Sequence, residues 1–199
     1  MNRPAVILLH GASGVGSGWL IYPYAEEIAR HGIDAFVIHY FDGLDPSIGN
    51  RSGTRNFAAR SGIILDAIRH VRSLPETDAD RIGLFGLSLG GFHAVDIAAR
   101  DARLGAVVAL MGALPRSTPE AAVRSMPPTL ILHGARDAVV PIDRAVDLAL
   151  LLGRLRSPFD MKIYLHGGHT MAGDAHGNSV RLVAEFFRRH LTDLGGQGR

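Results

Sequence analysis

The chain has no cysteine, which excludes disulfides, thiolate metal sites and a cysteine nucleophile together, and leaves the redox compartment open. No apolar stretch approaches the roughly 20 residues needed to span a bilayer. The first apolar run, residues 5–9, is too short for the apolar part of a secretory signal and runs straight into His10 and a glycine-rich loop. The expectation is a soluble, cytoplasmic protein with no membrane partner. A basic block is lacking too: 21 Lys and Arg against 19 Asp and Glu leave a net charge of +2 and a pI near 9.4, with the arginines scattered along the chain. Without a basic patch carrying interleaved aromatics, nucleic acid is not implied as a partner. There is no internal repeat, no low-complexity tract and no dividing linker. With 199 residues, 47% of them hydrophobic, one domain spanning residues 1–199 is expected to bury one substantial core.

What the chain does have is alternation. Short apolar runs at residues 5–9, 35–39, 81–85, 106–110, 129–133 and 162–165 are followed by turns and, for all but the run at 106–110, by helical spacing, at residues 19–30, 55–73, 89–100, 143–152 and 178–194. Gly32, Pro75 and the pair Gly195 and Gly196 stop three of these helices. Continuous runs such as Ala5-Val6-Ile7-Leu8-Leu9 and Ala106-Val107-Val108-Ala109-Leu110 suit strands covered on both faces. The pattern predicts an α/β three-layer sandwich around a minimal, mostly or fully parallel sheet of about six strands. Residues 41–54, rich in Gly, Asp, Ser and Asn, read as a long loop at the sheet's carboxyl side, where sites are usually lined.

The run Arg81-Ile82-Gly83-Leu84-Phe85-Gly86-Leu87-Ser88-Leu89-Gly90-Gly91 is an apolar strand that ends in G-x-S-x-G and flows into a helix. A serine held at so sharp a strand-to-helix turn needs neighbours nearly free of side chain, and Gly86 and Gly90 supply them. The turn lifts the hydroxyl above the sheet and sets the backbone N–H of Leu89 where a developing oxyanion would sit. A serine in an ordinary strand-to-helix turn would share the position but needs no such glycines.

A serine hydroxyl is a poor nucleophile at neutral pH, so a base must lie within reach and a third group must hold that base in its productive tautomer. Asp137 follows the strand at 129–133 in Gly134-Ala135-Arg136-Asp137, and His169 follows the strand at 162–165 in His166-Gly167-Gly168-His169. The order Ser, Asp, His is that of a nucleophile elbow with its partners. Asp137 as a mere turn residue is the plainer alternative, although Asp143 is the more natural cap of the next helix. His166 rivals His169, but it continues its strand and is expected to pack beside it.

Directly after the first strand comes His10-Gly11-Ala12-Ser13-Gly14-Val15-Gly16-Ser17-Gly18. Read as a loop over the nucleophile, it offers an N–H near Ala12 as a second oxyanion donor beside Leu89. Read as a phosphate cradle it fails, because Ser17 stands where the lysine of G-x-x-x-x-G-K-[ST] must be, and no dinucleotide spacing is met. His166, His169, Asp174 and His176 cluster in sequence and raise zinc as a possibility, but their spacing is not that of H-E-x-x-H on a helix. Neither a metal nor any cofactor is expected. Arg51 and Arg55, in the long loop, are candidates to anchor an acidic substrate, although exposed arginines usually do nothing specific.

With these residues in view, the chain resembles the dienelactone hydrolase family of α/β-hydrolases, from Leu8-Leu9-His10-Gly11 through Gly86-Leu87-Ser88-Leu89-Gly90-Gly91 and His133-Gly134-Ala135-Arg136-Asp137 to Gly168-His169. The resemblance implies a sheet without the two leading strands of larger hydrolases, an acyl-enzyme mechanism and small ester or lactone substrates. Dienelactone hydrolases proper use cysteine where this chain has Ser88, and carry a glutamate in the first loop where it has Gly11 and Ala12. Both differences point to a general carboxylesterase. Too few residues separate the strands at 106–110 and 129–133 for a lid domain, so the site is expected to be open and to suit short, soluble esters. Two other readings compete: a ligand-binding protein or receptor on the same scaffold with negligible turnover, and a metal-dependent hydrolase.

Overall fold

The period of two along a strand sorts the apolar side chains into two layers. In β1 (Arg3–Leu9), Ala5, Ile7 and Leu9 join one buried cluster while Val6 and Leu8 join another across the sheet. The same division runs through β3 (Thr77–Leu87), β4 (Ala106–Leu110) and β5 (Thr129–Gly134), so these central strands read as continuous apolar runs because both of their faces are covered. The edges of the sheet are β2 (Asp34–Ile38) and β6 (Phe159–Tyr164), which are less deeply buried. All six strands are parallel, in the order β2-β1-β3-β4-β5-β6. This computed structural model describes residues 2–42, 56–101 and 103–192.

Helices α1 (Tyr22–Arg30) and α5 (Gly173–Leu191) cover one face, with Tyr24, Ile28, Val183 and Phe187 pressed on Val6, Leu8 and Phe85. On the other face lie α2 (Phe57–Ser73), α3 (Leu89–Ala98) and α4 (Asp143–Leu155), which bury Ile64, Ile68, Val95, Leu148 and Leu152 against Ile7, Leu84 and Ile131. Each such side chain contributes about 1.5–3 kcal/mol by leaving water. The three-layer sandwich expected from the alternation is therefore present.

Boundaries moved for identifiable reasons. The strand expected at 81–85 begins at Thr77, because Arg3 pairs with Thr77 across a register shift that the exposed, charged stretch around Asp78 and Asp80 conceals from a hydrophobicity reading. The last helix begins at Gly173 instead of residue 178: its first turns carry polar and glycine residues and are held by tertiary bonds. Ser179 Oγ donates to the His176 carbonyl and accepts from Tyr24 Oη at 2.7 Å. The helix expected at 19–30 divides into a 3-10 helix, Gly14–Leu20, and α1. The fourth helix runs on to Leu155, where Arg156 at φ 55 ends it. No helix among the described residues is long and apolar enough to cross a membrane.

Candidate active site

Ser88 stands between β3 and α3 with φ 53 and ψ −116, a backbone conformation that L residues rarely adopt. Strand and helix are forced together around it. A Cβ on Gly86 would lie 2.1 Å from the Gly90 carbonyl oxygen, and one on Gly90 would lie 2.2 Å from that of Leu9. A Cβ on Gly91 would in turn lie 2.8 Å from Gly112 Cα. The strained serine is thus flanked by close backbone, and its own N–H donates to the Leu110 carbonyl at 2.8 Å. Sequence reading found Gly86 and Gly90, but the contact of Gly91 with Gly112, a residue beyond β4, needs the fold to be seen.

The half-buried hydroxyl meets His169. Ser88 Oγ lies 2.8 Å from His169 Nε2, and His169 Nδ1 lies 2.8 Å from Asp137 Oδ2. A carboxylate can only accept, so the ring proton is on Nδ1 and Nε2 is left to accept the Ser88 hydroxyl proton. Asp137, whose side chain is fully buried, also accepts at Oδ1 from the N–H groups of Val139 (2.9 Å) and Val140 (2.8 Å). Burial alone would push its pKa up. Hydrogen bonds from His169, Val140 and Val139 outweigh burial and hold the carboxyl below the ordinary Asp range, so it is an anion at neutral pH.

Two adjacent loops supply this pair and are stitched together by backbone: Ala135 N–H donates to the Tyr164 carbonyl and Arg136 N–H to that of Gly167, both at 2.9 Å. Gly134 makes the approach possible, since a Cβ there would meet the Gly167 oxygen at 2.4 Å. His166, expected to pack beside its strand, instead stands exposed in the turn after Tyr164, where β6 has already ended. Gly167 and Gly168 lead from that turn to His169, which is half-buried.

The loop after β1 folds over the nucleophile. A Cβ on Gly11 would touch Ser88 Cβ at 3.5 Å, and the turn through Ala12 closes with a bond from Gly14 N–H to the Gly11 carbonyl. Ala12 and its neighbours Ser13 and Val15 line a cleft of about 660 Å³ together with His10, His39, Phe41 and Asp42. Leu89 opens α3 directly after Ser88. Arg51 and Arg55, and all of the long loop expected at 41–54 except Phe41 and Asp42, lie outside the described residues.

The histidines and aspartate that raised zinc part company in the fold. His169 is committed to Ser88 and Asp137, His176 packs edge-on to Tyr24 at 5.4 Å, and His166 and Asp174 are exposed. Among the described residues, no three His, Asp or Glu side chains gather as a metal ion would require. Sequence reasoning passed over His133, the last residue of its apolar strand before Gly134, which is fully buried with Nε2 2.8 Å from the Val140 carbonyl and 3.5 Å from Asp137 Oδ2. A lone imidazole ending a buried strand, four residues before the acid, was the available signal.

A parallel six-stranded sheet that carries a serine elbow on its third strand, with acid and histidine after the last two strands, defines the α/β-hydrolase class. Within that class the chain belongs to the dienelactone hydrolase family: residues 2–185 match the family described as "Dienelactone hydrolase family". A curated Escherichia coli relative, the uncharacterized 31.7 kDa protein of the traX-finO intergenic region, is 32% identical over 108 residues. That match spans 54% of this chain and only 37% of the relative's length. Among solved structures, the acylaminoacyl peptidase of Pyrococcus horikoshii superposes with a TM-score of 0.79 at 18% identity, over 100% of this chain and 39% of that one. A dienelactone hydrolase-like promiscuous phosphotriesterase, P91, from metagenomic libraries gives 0.76 at 19% identity, over 95% and 87% of the two chains. At such identities the likeness is one of fold.

Proposed function

We propose that the protein is a serine hydrolase that cleaves small carboxylic esters or lactones through an acyl-enzyme. The observation that carries this reading is the unbroken line Ser88–His169–Asp137, with both hydrogen bonds at 2.8 Å and the serine held in a strained elbow. In the proposed reaction Ser88 Oγ attacks the ester carbonyl carbon while His169 Nε2 takes the hydroxyl proton, and the buried Asp137 anion stabilises the imidazolium so formed. The tetrahedral oxyanion accepts hydrogen bonds from the N–H groups of Leu89 and Ala12. The intermediate collapses, the carbon–oxygen bond to the alcohol breaks, and His169 gives its proton to the departing oxygen. A water then delivers its proton to His169 and its oxygen to the acyl carbon, and the acid leaves with Ser88 reprotonated. No cofactor enters any step.

The substrate class follows from the surroundings. Between β4 and β5 the chain forms only a short 3-10 helix, Glu120–Ala122, and no lid domain, so the site favours short acyl groups over long lipid chains. Purified protein should turn over p-nitrophenyl acetate and react with a fluorophosphonate at Ser88. Ser88→Ala should lose the label and lower kcat by roughly 10⁴-fold or more. Labelling without turnover of any ester or lactone would support a receptor instead, and activity that survives Ser88→Ala but is lost to a chelator would establish a metal hydrolase.

A further inference from the structure

The acid of the line is not held by His169 alone. His133, at the end of β5, is fully buried, and its Nε2 lies 2.8 Å from the Val140 carbonyl oxygen. A carbonyl only accepts, so the proton of His133 is on Nε2 and points into the turn that contains Asp137. The same Nε2 is 3.5 Å from Asp137 Oδ2, the oxygen that accepts from His169. Val140 closes the circuit, because its N–H donates to Asp137 Oδ1 at 2.8 Å while its carbonyl is held by His133. Val139, the other backbone donor to Oδ1, sits in the same turn with a 68% exposed side chain, so little packing of its own fixes it.

We infer that His133 is a positioning residue: by anchoring the Val140 carbonyl it fixes the turn whose amides orient Asp137, and through Asp137 it sets the productive tautomer and aim of His169. The acid must present one oxygen to the imidazole within a few tenths of an ångström, and the turn from Asp137 to Val140, in which Val140 is buried but Val139 is exposed, needs an anchor at its carbonyl end. His133 supplies it from the rigid end of a central strand. Removing the imidazole leaves the Val140 carbonyl buried without its donor and frees the turn to rotate, which misaligns Asp137 without touching substrate.

This inference rests on the proposed serine mechanism, and its test separates the two. His133→Phe keeps the bulk and removes the donor, whereas His133→Gln places an amide N–H near the position of Nε2. For an ester cleaved by the wild type, His133→Phe is expected to lower kcat about 10- to 100-fold with KM within about twofold, and His133→Gln to recover most of the loss. The second reading needs no turnover: the downfield proton resonance of the His169 Nδ1–H to Asp137 bond should broaden or move upfield in His133→Phe, return in His133→Gln, and vanish in Asp137→Asn. Equal kinetics in all three proteins, or a folded His133→Phe that keeps both kcat and the resonance, would overturn the positioning role. If His133→Phe does not fold, His133→Asn, whose shorter amide cannot reach the Val140 carbonyl, takes its place: it is expected to lose kcat and the resonance while His133→Gln keeps them, and equal behaviour of the two would overturn the claim. Failure of the serine mechanism would appear separately, as hydrolysis that survives Ser88→Ala.

Discussion

Asp137 is a buried anion with one task, and its neighbours show how a low-dielectric site keeps it charged. Three close donors on two oxygens outweigh the cost of burial, so in the proposed mechanism the carboxylate is already charged when the imidazolium forms. Asp137→Asn retains the shape but presents an amide to His169 Nδ1, which favours the wrong tautomer. It should reduce kcat on the order of 10³–10⁴-fold with an unchanged far-UV spectrum, and a loss below tenfold would contradict the role given to the carboxylate. At this scale the sequence was largely legible: Ser88, Asp137 and His169 each follow an apolar strand in a turn rich in small residues, which is a local signal. His133 was not legible, because its meaning lies in a carbonyl seven residues away that only the folded turn brings to it.

Elements were read well where periodicity is strong and poorly where tertiary bonds replace it. The strand β4 was placed to the residue because five consecutive apolar positions leave no choice. The first turns of α5 were missed because Gly173 to Gly177 has neither stripe nor propensity, and the Tyr24–Ser179–His176 bonds that fix them come from another helix and from within the turn. Burial raises the Tyr24 pKa, which keeps that hydroxyl a donor at any ordinary pH. Helix α2 shows the converse, a position where sequence departs from local preference without gain. Gly62 lies in its interior with open space where a Cβ would be. Gly62→Ala should therefore stabilise the protein by about 0.5–1 kcal/mol, seen as a higher denaturation midpoint with activity unchanged. A lower midpoint would mean that the helix face is occupied by something the space does not show.

Across the whole molecule, two buried imidazoles sit where helices α2 and α3 meet the segments that follow β1 and β2, and they make folding sensitive to acid. His93 on α3 is fully buried, stacked on Phe57 of α2 at 3.9 Å with Nδ1 3.0 Å from Ser61 Oγ, and burial, followed by Arg60 and His10, brings its pKa down to about 3. His10, stacked on Tyr40 at 4.1 Å, is lowered by burial too, against opposing contributions from the Gly11 carbonyl and Asp42, with His39 adding to the lowering. Half-buried His176 and His190 shift the same way. In the unfolded chain these groups take up protons near pH 6.5, whereas in the folded state they resist. Their contribution is thus fully present above pH 6.5 and is lost as the pH falls, by up to about 1.4 kcal/mol per pH unit for each histidine until its folded pKa is reached. The carboxylates with lowered pKa, Asp137 among them, add to the loss only below about pH 4. Urea denaturation at pH 7 and pH 5 should show the lower midpoint at pH 5, and His93→Gln should reduce the difference. Equal midpoints would contradict it. The order of strands and the two covered faces could be anticipated from the alternation of runs. This knot of rings could not, since His10, Tyr40, Phe57 and His93 are far apart in the chain.

The loops that bear Asp137 and His169 are sewn to each other by main-chain bonds, and Ser88 stands apart on a pivot walled by glycines. Imidazole and carboxylate therefore form one cassette, and the serine hydroxyl belongs to another. Exchanging oxygen for sulfur at that pivot, the very difference that divides this chain from the cysteine-bearing members of its family, alters one terminus of the relay and asks for no rebuilding of the other.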